Sequence, residues 1–91
     1  MLKIEPARET EEALTVALAG SLDAEYLAEL EALVRRAAGE GRRLSFDLTQ
    51  LRMIDRRAVA FFASGAGREV HLTGCPAWLR KWLDAEHRHH L

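Results

Sequence analysis

The spacing of apolar residues changes repeatedly along this chain, from a period of two to a period near 3.6 and back. Such alternation is typical of an α/β fold, in which helices cross over between parallel strands. At the start, Leu2 and Ile4 alternate with polar residues, and the alternation resumes at Leu14, Val16 and Leu18 after a charged stretch. These two stretches predict a pair of strands joined by a polar loop.

A helix is predicted over residues 24–38, where apolar side chains recur at helical spacing and glycines follow. Asp23 stands directly before it, and its carboxylate can accept hydrogen bonds from the free N–H groups of the first turn. The short apolar stretch 43–48 ends in a polar break and predicts a buried parallel strand at the centre of the sheet.

A second helix is predicted over residues 56–64, with Asp55 as its N-cap. A strand at 70–73 and a last helix opened by Pro76 complete the order strand, strand, helix, strand, helix, strand, helix. This order predicts a single α/β domain over 1–91, with a mixed sheet of four to five strands and helices mainly on one side. Inward-facing residues of adjacent elements should be buried together: Leu30, Val34, Phe46, Phe61 and Phe62.

Basic and acidic residues nearly balance, with 13 Lys and Arg against 14 Asp and Glu and a formal net charge of −1. We therefore expect no nucleic-acid partner, which would require a basic surface. No apolar run approaches the roughly 18 residues that cross a bilayer, and the first residues lack the order of a signal peptide. We expect a cytoplasmic chain that does not insert into a membrane. Its single cysteine, Cys75, has no intramolecular disulfide partner.

Three short stretches, in this order and spacing, carry a resemblance to a known family: Leu-Ala-Gly-Ser-Leu-Asp at 18–23, Leu-Ser-Phe-Asp-Leu-Thr at 44–49 and Met-Ile-Asp at 53–55. They resemble the STAS domain, which is found in bacterial anti-sigma factor antagonists and in the cytoplasmic tails of sulphate transporters. The usual family pattern is Gly-x-Leu-Asp, then an apolar residue with Asp-Leu-Ser/Thr, then Ile-Asp-Ser-Ser-Gly. The resemblance covers nearly the whole chain and implies a STAS-like fold and a protein-binding function.

The third stretch departs from the family pattern at its functional position. In antagonists of this family, a partner kinase phosphorylates the second Ser of Asp-Ser-Ser-Gly, and this abolishes binding. Here Asp55 matches the Asp, whereas Arg and Ala replace Ser-Ser-Gly, so the phosphoacceptor hydroxyl is missing. The resemblance implies that the partner-binding residues are Asp23, Thr49, Asp55, Arg56, Arg57 and Ala58. Thr49 is the hydroxyl nearest in sequence that could serve as another acceptor.

Two interpretations stay open for the charged residues of this region. Asp23 and Asp55 are each explained by a capping role at a helix start. Arg56 and Arg57 either stand free in solvent or form a basic patch that binds an acidic or phosphorylated partner through bidentate guanidinium contacts. Two cations in a first helical turn oppose the helix dipole at a cost of about 0.3–1 kcal/mol each, so another residue type would suit the fold better.

The other residues that could bind a metal, react as a nucleophile or anchor a partner give little evidence for a site. The tail at 86–91 is predicted to be disordered, and its histidines could bind a metal only with further ligands, so no metal site is expected. Cys75 is interpreted as structural, since neither a histidine nor a second cysteine lies within sequence reach. Trp78 and Trp82 are interpreted as core anchors, one of which could be left exposed as a binding hot spot.

Two functions follow from the resemblance. The first is a regulatory module that binds an anti-sigma factor or a related signalling protein and so acts in transcription regulation. The second is an accessory subunit of a phospholipid-type ABC transporter that binds the cytoplasmic ATPase. An enzyme or nucleotide binder is a third class, but the sequence contains no phosphate-binding loop or nucleophile elbow. We expect no catalytic activity and no cofactor, in a monomer or weak homodimer.

Overall fold

The computed structural model describes residues 1–89 and confirms the α/β architecture. Three features differ from the sequence prediction: a strand follows the third predicted strand, the first helix begins one 3₁₀ turn late, after Ala24–Tyr26, and the last helix continues into the predicted tail. The elements, in order, are β1 (Leu2–Glu9), β2 (Ala13–Leu22), α1 (Leu27–Gly39), β3 (Arg43–Asp47), β4 (Leu51–Ile54), α2 (Arg56–Ala63), β5 (His71–Thr73) and α3 (Ala77–His89).

The five strands form one mixed sheet in the order β1-β2-β3-β5, with β4 also paired to β2. Within residues 1–89, only the β1–β2 pair is antiparallel, and the β2–β3, β2–β4 and β3–β5 pairs are parallel. β3 pairs with residues 13–17 of β2, and β4 pairs with residues 20–22 further along the same strand. β3 and β4 therefore lie end to end along one edge of β2, because β1 occupies its other edge.

The sequence analysis did not predict β4, because a bulge interrupts the alternation of buried and exposed residues along this strand. Leu51 pairs with Gly20, but the next pair joins Met53 to Ser21, so Arg52 is the extra residue of β4. The bulge lets both Leu51 and Ile54 face the core although they lie three residues apart. Gly20 has a φ of +101°, a backbone conformation that favours glycine.

The core lies on one face of the sheet, where all three helices pack. Phe46 of β3 meets Phe62 of α2 edge to face, with ring centroids 5.9 Å apart, and Phe61 lies 5.2 Å from Phe62. Leu30 of α1 is fully buried in the same cluster, and Val34 is half-buried at its margin. The predicted core is confirmed for Leu30, Phe46, Phe61 and Phe62 but not for Val34, and the helices cover one side as expected.

The opposite face of the sheet is not covered by any element of residues 1–89. It carries small or polar side chains at the alternate positions of the parallel strands, all of them half-exposed: Thr15, Ala17, Ala19, Ser21, Ser45, Asp47 and Thr73. Parallel sheets are usually covered on both faces. Within residues 1–89, this sheet departs from that pattern.

The chain end differs from the predicted disordered tail. α3 continues through His89, so residues 86–89 are helical. The side chain of Glu86 is only 13% exposed, and its Oε1 lies 3.8 Å from Nε of Arg56. This contact links the end of α3 to the start of α2, and residues 90 and 91 lie outside the described part of the chain.

Candidate functional site

Three of the predicted site residues follow strand ends, and the topology brings two of them together. Asp23 follows β2 and Asp55 follows β4, and these strands are parallel and end side by side, with Leu22 paired to Ile54. Because β3 ends further back along β2, Thr49 lies in the connection between β3 and β4, apart from the two aspartates. The candidate site is therefore centred on the start of α2, at the carboxyl ends of β2 and β4.

Asp55 joins the starts of two helical segments. Its Oδ1 accepts a hydrogen bond from Ala58 N in α2 at 2.9 Å, and its Oδ2 accepts one from Ala24 N, also at 2.9 Å. Its own N–H donates to the carbonyl oxygen of Leu22 at 3.0 Å. The predicted N-cap is confirmed, and the same carboxylate also holds the segment that follows β2.

Asp23 caps the single 3₁₀ turn before α1. Its Oδ1 accepts a hydrogen bond from Glu25 N at 2.9 Å, with the extended backbone conformation of an N-cap. Both aspartates therefore have a structural function, as the capping interpretation requires.

Arg56 and Arg57 are both exposed at the first turn of α2. Arg56 is 82% exposed, and its contact with Glu86 is long, so this ion pair stabilises the fold little. Among the described residues, no carboxylate lies within ion-pair distance of Arg57. The two guanidinium groups are available to a partner, in the positive field of a helix N-terminus.

Ala58 corrects one part of the predicted site. Its side chain is 0% exposed, because the third residue of α2 faces the sheet together with Val59, Phe61 and Phe62. A partner cannot reach this methyl group in the folded chain. Ala58 contributes only its backbone N–H, which donates a hydrogen bond to Asp55 Oδ1.

Two residues of this region were missed by the sequence prediction. Arg52 and Met53 are exposed in β4, beside the start of α2, and Met53 is 65% exposed. A methionine that lies in sequence between Leu51 and Ile54 is expected to be a core residue, because both of these residues are apolar. Only the bulge shows that it pairs with Ser21 and so faces the uncovered side of the sheet.

Thr49 is exposed, but its hydroxyl already has a partner. Thr49 Oγ1 donates to Asp47 Oδ1 at 2.6 Å, and Thr49 N donates to the same oxygen at 3.0 Å. These two hydrogen bonds hold the pKa of the Asp47 carboxyl below its ordinary value. Gly74, at a φ of +62°, packs against the Thr49 hydroxyl, where a larger residue would collide with it.

The other candidate residues form no further site. Within residues 1–89, no group of three His, Cys, Asp or Glu side chains could hold a metal ion. Burial raises the pKa of the Cys75 thiol, so it is less reactive than a free cysteine. Leu79 and Leu83 fill the core side of α3, whereas Trp78 remains exposed. None of the described helices is both long and apolar enough to span a bilayer.

Comparisons with known proteins agree with this architecture. A family model described as Mlab, STAS domain matches residues 6–85. The fold is similar to that in a solved structure titled "Structure of the Anti-Sigma Factor Antagonist SpoIIAA in its Unphosphorylated Form", with a TM-score of 0.70 and 19% sequence identity. The alignment covers 92% of this chain and 82% of that chain. No curated protein sequence matches.

Proposed function

This chain belongs to the STAS domain family, and from that premise we propose that it is a non-catalytic module that binds a protein partner through the start of α2. The STAS fold is a protein-interaction fold, and the anti-sigma factor antagonist shares it. The proposed partner is an anti-sigma factor or a related regulator of signalling or transcription. The module would act in the cytoplasm as a monomer or weak homodimer.

One observation supports the proposal. Arg56 and Arg57 are exposed to solvent, whereas the carboxylates of Asp23 and Asp55 beside them already accept hydrogen bonds from backbone N–H groups. Both oxygens of Asp55 accept backbone hydrogen bonds, and Asp23 accepts one from Glu25 N. The guanidinium groups are therefore the charges that a partner would meet. A surface carboxylate or phosphate is the natural ligand of such groups.

Binding at this position is proposed to be independent of phosphorylation. Residues 55–58 carry no hydroxyl group, so a kinase that modifies serine or threonine finds no acceptor there. After incubation with an anti-sigma kinase and ATP, mass spectrometry should find residues 55–58 unmodified. Phosphate on Thr49 would contradict unswitched binding, because it would place a dianion beside the Asp47 carboxylate and restore control through another residue.

The same missing hydroxyl favours a second candidate function. A subunit that stays assembled with its partner needs no switch, so the chain could be an accessory subunit that binds the ATPase of a phospholipid-type ABC transporter. The two functions differ in the partner that they require. An affinity pull-down from native cytoplasm, followed by mass spectrometry, separates a sigma-factor regulator from a transporter ATPase.

The test of the site compares two variants of equal charge. Arg56→Ser with Arg57→Ser should weaken the captured partner's binding, chiefly through slower association, and should reduce its dependence on salt. The matched control is Arg35→Ser with Arg36→Ser, which removes two exposed arginines from the far half of α1. Equal binding by the two double variants at every salt concentration would place Arg56 and Arg57 outside the interface.

A further inference from the structure

Within residues 1–89, the free edge of β5 carries one residue with unpaired backbone groups. β5 is the last strand in the sheet order, and its other edge pairs with β3 in a register that places Leu72 beside Phe46. In a parallel pair, every second residue of a strand turns both its N–H and its C=O towards the neighbouring strand. Because the carbonyl oxygen of Thr73 accepts a hydrogen bond from Leu48 N at 2.8 Å, Thr73 is turned towards β3 and Leu72 is turned away. Leu72 therefore offers one donor and one acceptor at the edge of the sheet.

The opposite edge of the sheet, formed by β1, is protected from pairing with another chain. β1 contains Pro6, which has no N–H group, and its register with β2 shifts between Pro6 and Arg8. Lys3, Glu5 and Glu9 add further charges to this strand, and Lys3 and Glu5 form an ion pair at 3.0 Å. Prolines, irregular pairing and charges are features by which edge strands avoid pairing with other chains. The three residues of β5 have none of these features.

A cleft of about 540 Å³ opens beside Leu72, between β5 and α3. Its lining includes two arginines and two carboxylates, besides two histidines and an apolar part: Arg68, Glu69, Arg80 and Asp84, then His71 and His87, then Phe62 and Leu83. The four charged side chains are exposed. Within residues 1–89, none of the four lies within ion-pair distance of an opposite charge. We call Leu72 together with these four charged residues the β5 edge surface.

We propose that the β5 edge surface binds a second copy of this chain, with Leu72 of each copy paired antiparallel to Leu72 of the other. In an antiparallel hydrogen-bonded pair, two opposite residues exchange both of their N–H···O bonds. A twofold axis through the pair makes these two residues the same residue of two copies, so a single residue with both groups free is sufficient. The inference goes beyond the proposed function, because neither Arg56 nor Arg57 lines the cleft.

The charges of the cleft favour a second copy over an unrelated partner. A twofold contact places a surface on itself, so its charges must be complementary to themselves. The cleft meets this condition, because its two arginines and two carboxylates balance and are not paired with one another. A surface that selects an unrelated partner by charge carries an excess of one sign instead.

The strand pairing at this contact is short. Val70 N already donates to the carbonyl oxygen of Gly67 at 3.1 Å, and Gly74 leaves the strand conformation with a φ of +62°. Pairing between the copies is therefore confined to the two hydrogen bonds of Leu72. The dimer is weak and depends on the charges beside the strands, which makes these charges the part to change.

The first experiment changes the balance of charge in the cleft. Arg80→Glu gives the cleft an excess of negative charge, and Asp84→Arg gives it an excess of positive charge. Each variant alone should dimerise at least about tenfold more weakly than the unaltered chain in sedimentation equilibrium, because like charges then meet across the axis. An equimolar mixture of the two should recover the dimer. Native mass spectrometry should show that each recovered dimer contains one chain of each kind.

The matched control is Arg35→Glu mixed with Glu29→Arg, which changes two exposed residues of α1 outside the cleft. Both control variants should dimerise as the unaltered chain does, and circular dichroism melting checks that every variant is folded. An unaltered chain that stays monomeric at millimolar concentration would overturn the inference. So would Arg80→Glu and Asp84→Arg chains that each dimerise normally, or whose mixture stays monomeric.

The second experiment locates the contact at β5. In the antiparallel pairing around Leu72, His71 of one copy lies opposite Thr73 of the other, at a distance that a disulfide spans. A mixture of His71→Cys and Thr73→Cys chains, both in a Cys75→Ser background, should form a cross-linked dimer on oxidation. Lys3→Cys, on the β1 edge, replaces either chain as the control and should not cross-link. Equal yields from the control and the β5 mixture would refute pairing at β5.

The double variant Arg56→Ser with Arg57→Ser separates this inference from the proposed function. It should dimerise as the unaltered chain does, because its changes lie outside the cleft. Partner binding that survives in this double variant would refute the proposed site and leave the dimer standing. Loss of the dimer in this variant would instead refute the assignment of the contact to β5.

Discussion

Replacing Asp55 with Ala removes two hydrogen-bond acceptors from the start of α2 at once. The change leaves Ala58 N without its cap, at a cost of about 0.5–2 kcal/mol. It also leaves Ala24 N, which is 31 residues away in sequence, without its charged acceptor, at a further cost of about 1.5–3 kcal/mol. We expect the free energy of unfolding to fall by roughly 2–5 kcal/mol in total.

Thermal unfolding followed by circular dichroism measures this loss. In a domain of this size, each kcal/mol lowers Tm by roughly 4–8 °C, so Asp55→Ala should melt at least about 8 °C below the unaltered chain. Asp23→Ala is the matched control, because it removes one hydrogen bond from an exposed 3₁₀ turn. Asp55→Asn should lie between the two, since the amide keeps one accepting oxygen.

Equal melting of Asp55→Ala and Asp23→Ala would refute the reasoning. It would mean that the contact between Asp55 and Ala24 N contributes nothing to stability. The start of α2 would then be held by its own cap alone, and the junction after β2 would be independent of it.

Three further changes test the core, the carboxylate of β3 and the thiol. Phe61→Ala should lower the free energy of unfolding by about 3–5 kcal/mol, because the buried ring packs on Phe62, and an unchanged urea midpoint would contradict this. Thr49→Val should raise the pKa of Asp47, measured by NMR titration. Because the pKa of Asp47 is lowered in the fold, its ionised carboxylate stabilises the folded state above about pH 4, and this stabilisation is lost on acidification. The free energy of unfolding of Thr49→Val should therefore fall less on acidification than that of the unaltered chain. Iodoacetamide should alkylate Cys75 more slowly in the folded chain than in urea, and equal rates would show an open thiol.

Interactions between residues close in sequence could be predicted, whereas interactions between residues distant in sequence could not. Asp23 and Asp55 were predictable as caps, because each bonds to an N–H two or three residues ahead. The second bond of Asp55, to Ala24 N, crosses 31 residues and has no local signal. The same holds for Glu86, which was placed in a predicted tail and instead meets Arg56 across two helices.

The amino-acid sequence by itself determined the order of the elements other than β4, most of the core residues and the two aspartate caps, since these depend on the period of apolar residues and on neighbouring side chains. The tertiary structure alone decided which side chains a partner can reach. Met53 lies between two core residues, yet the bulge against β2 exposes it. Exposure depends on pairing with distant strands, which the spacing of nearby residues does not encode.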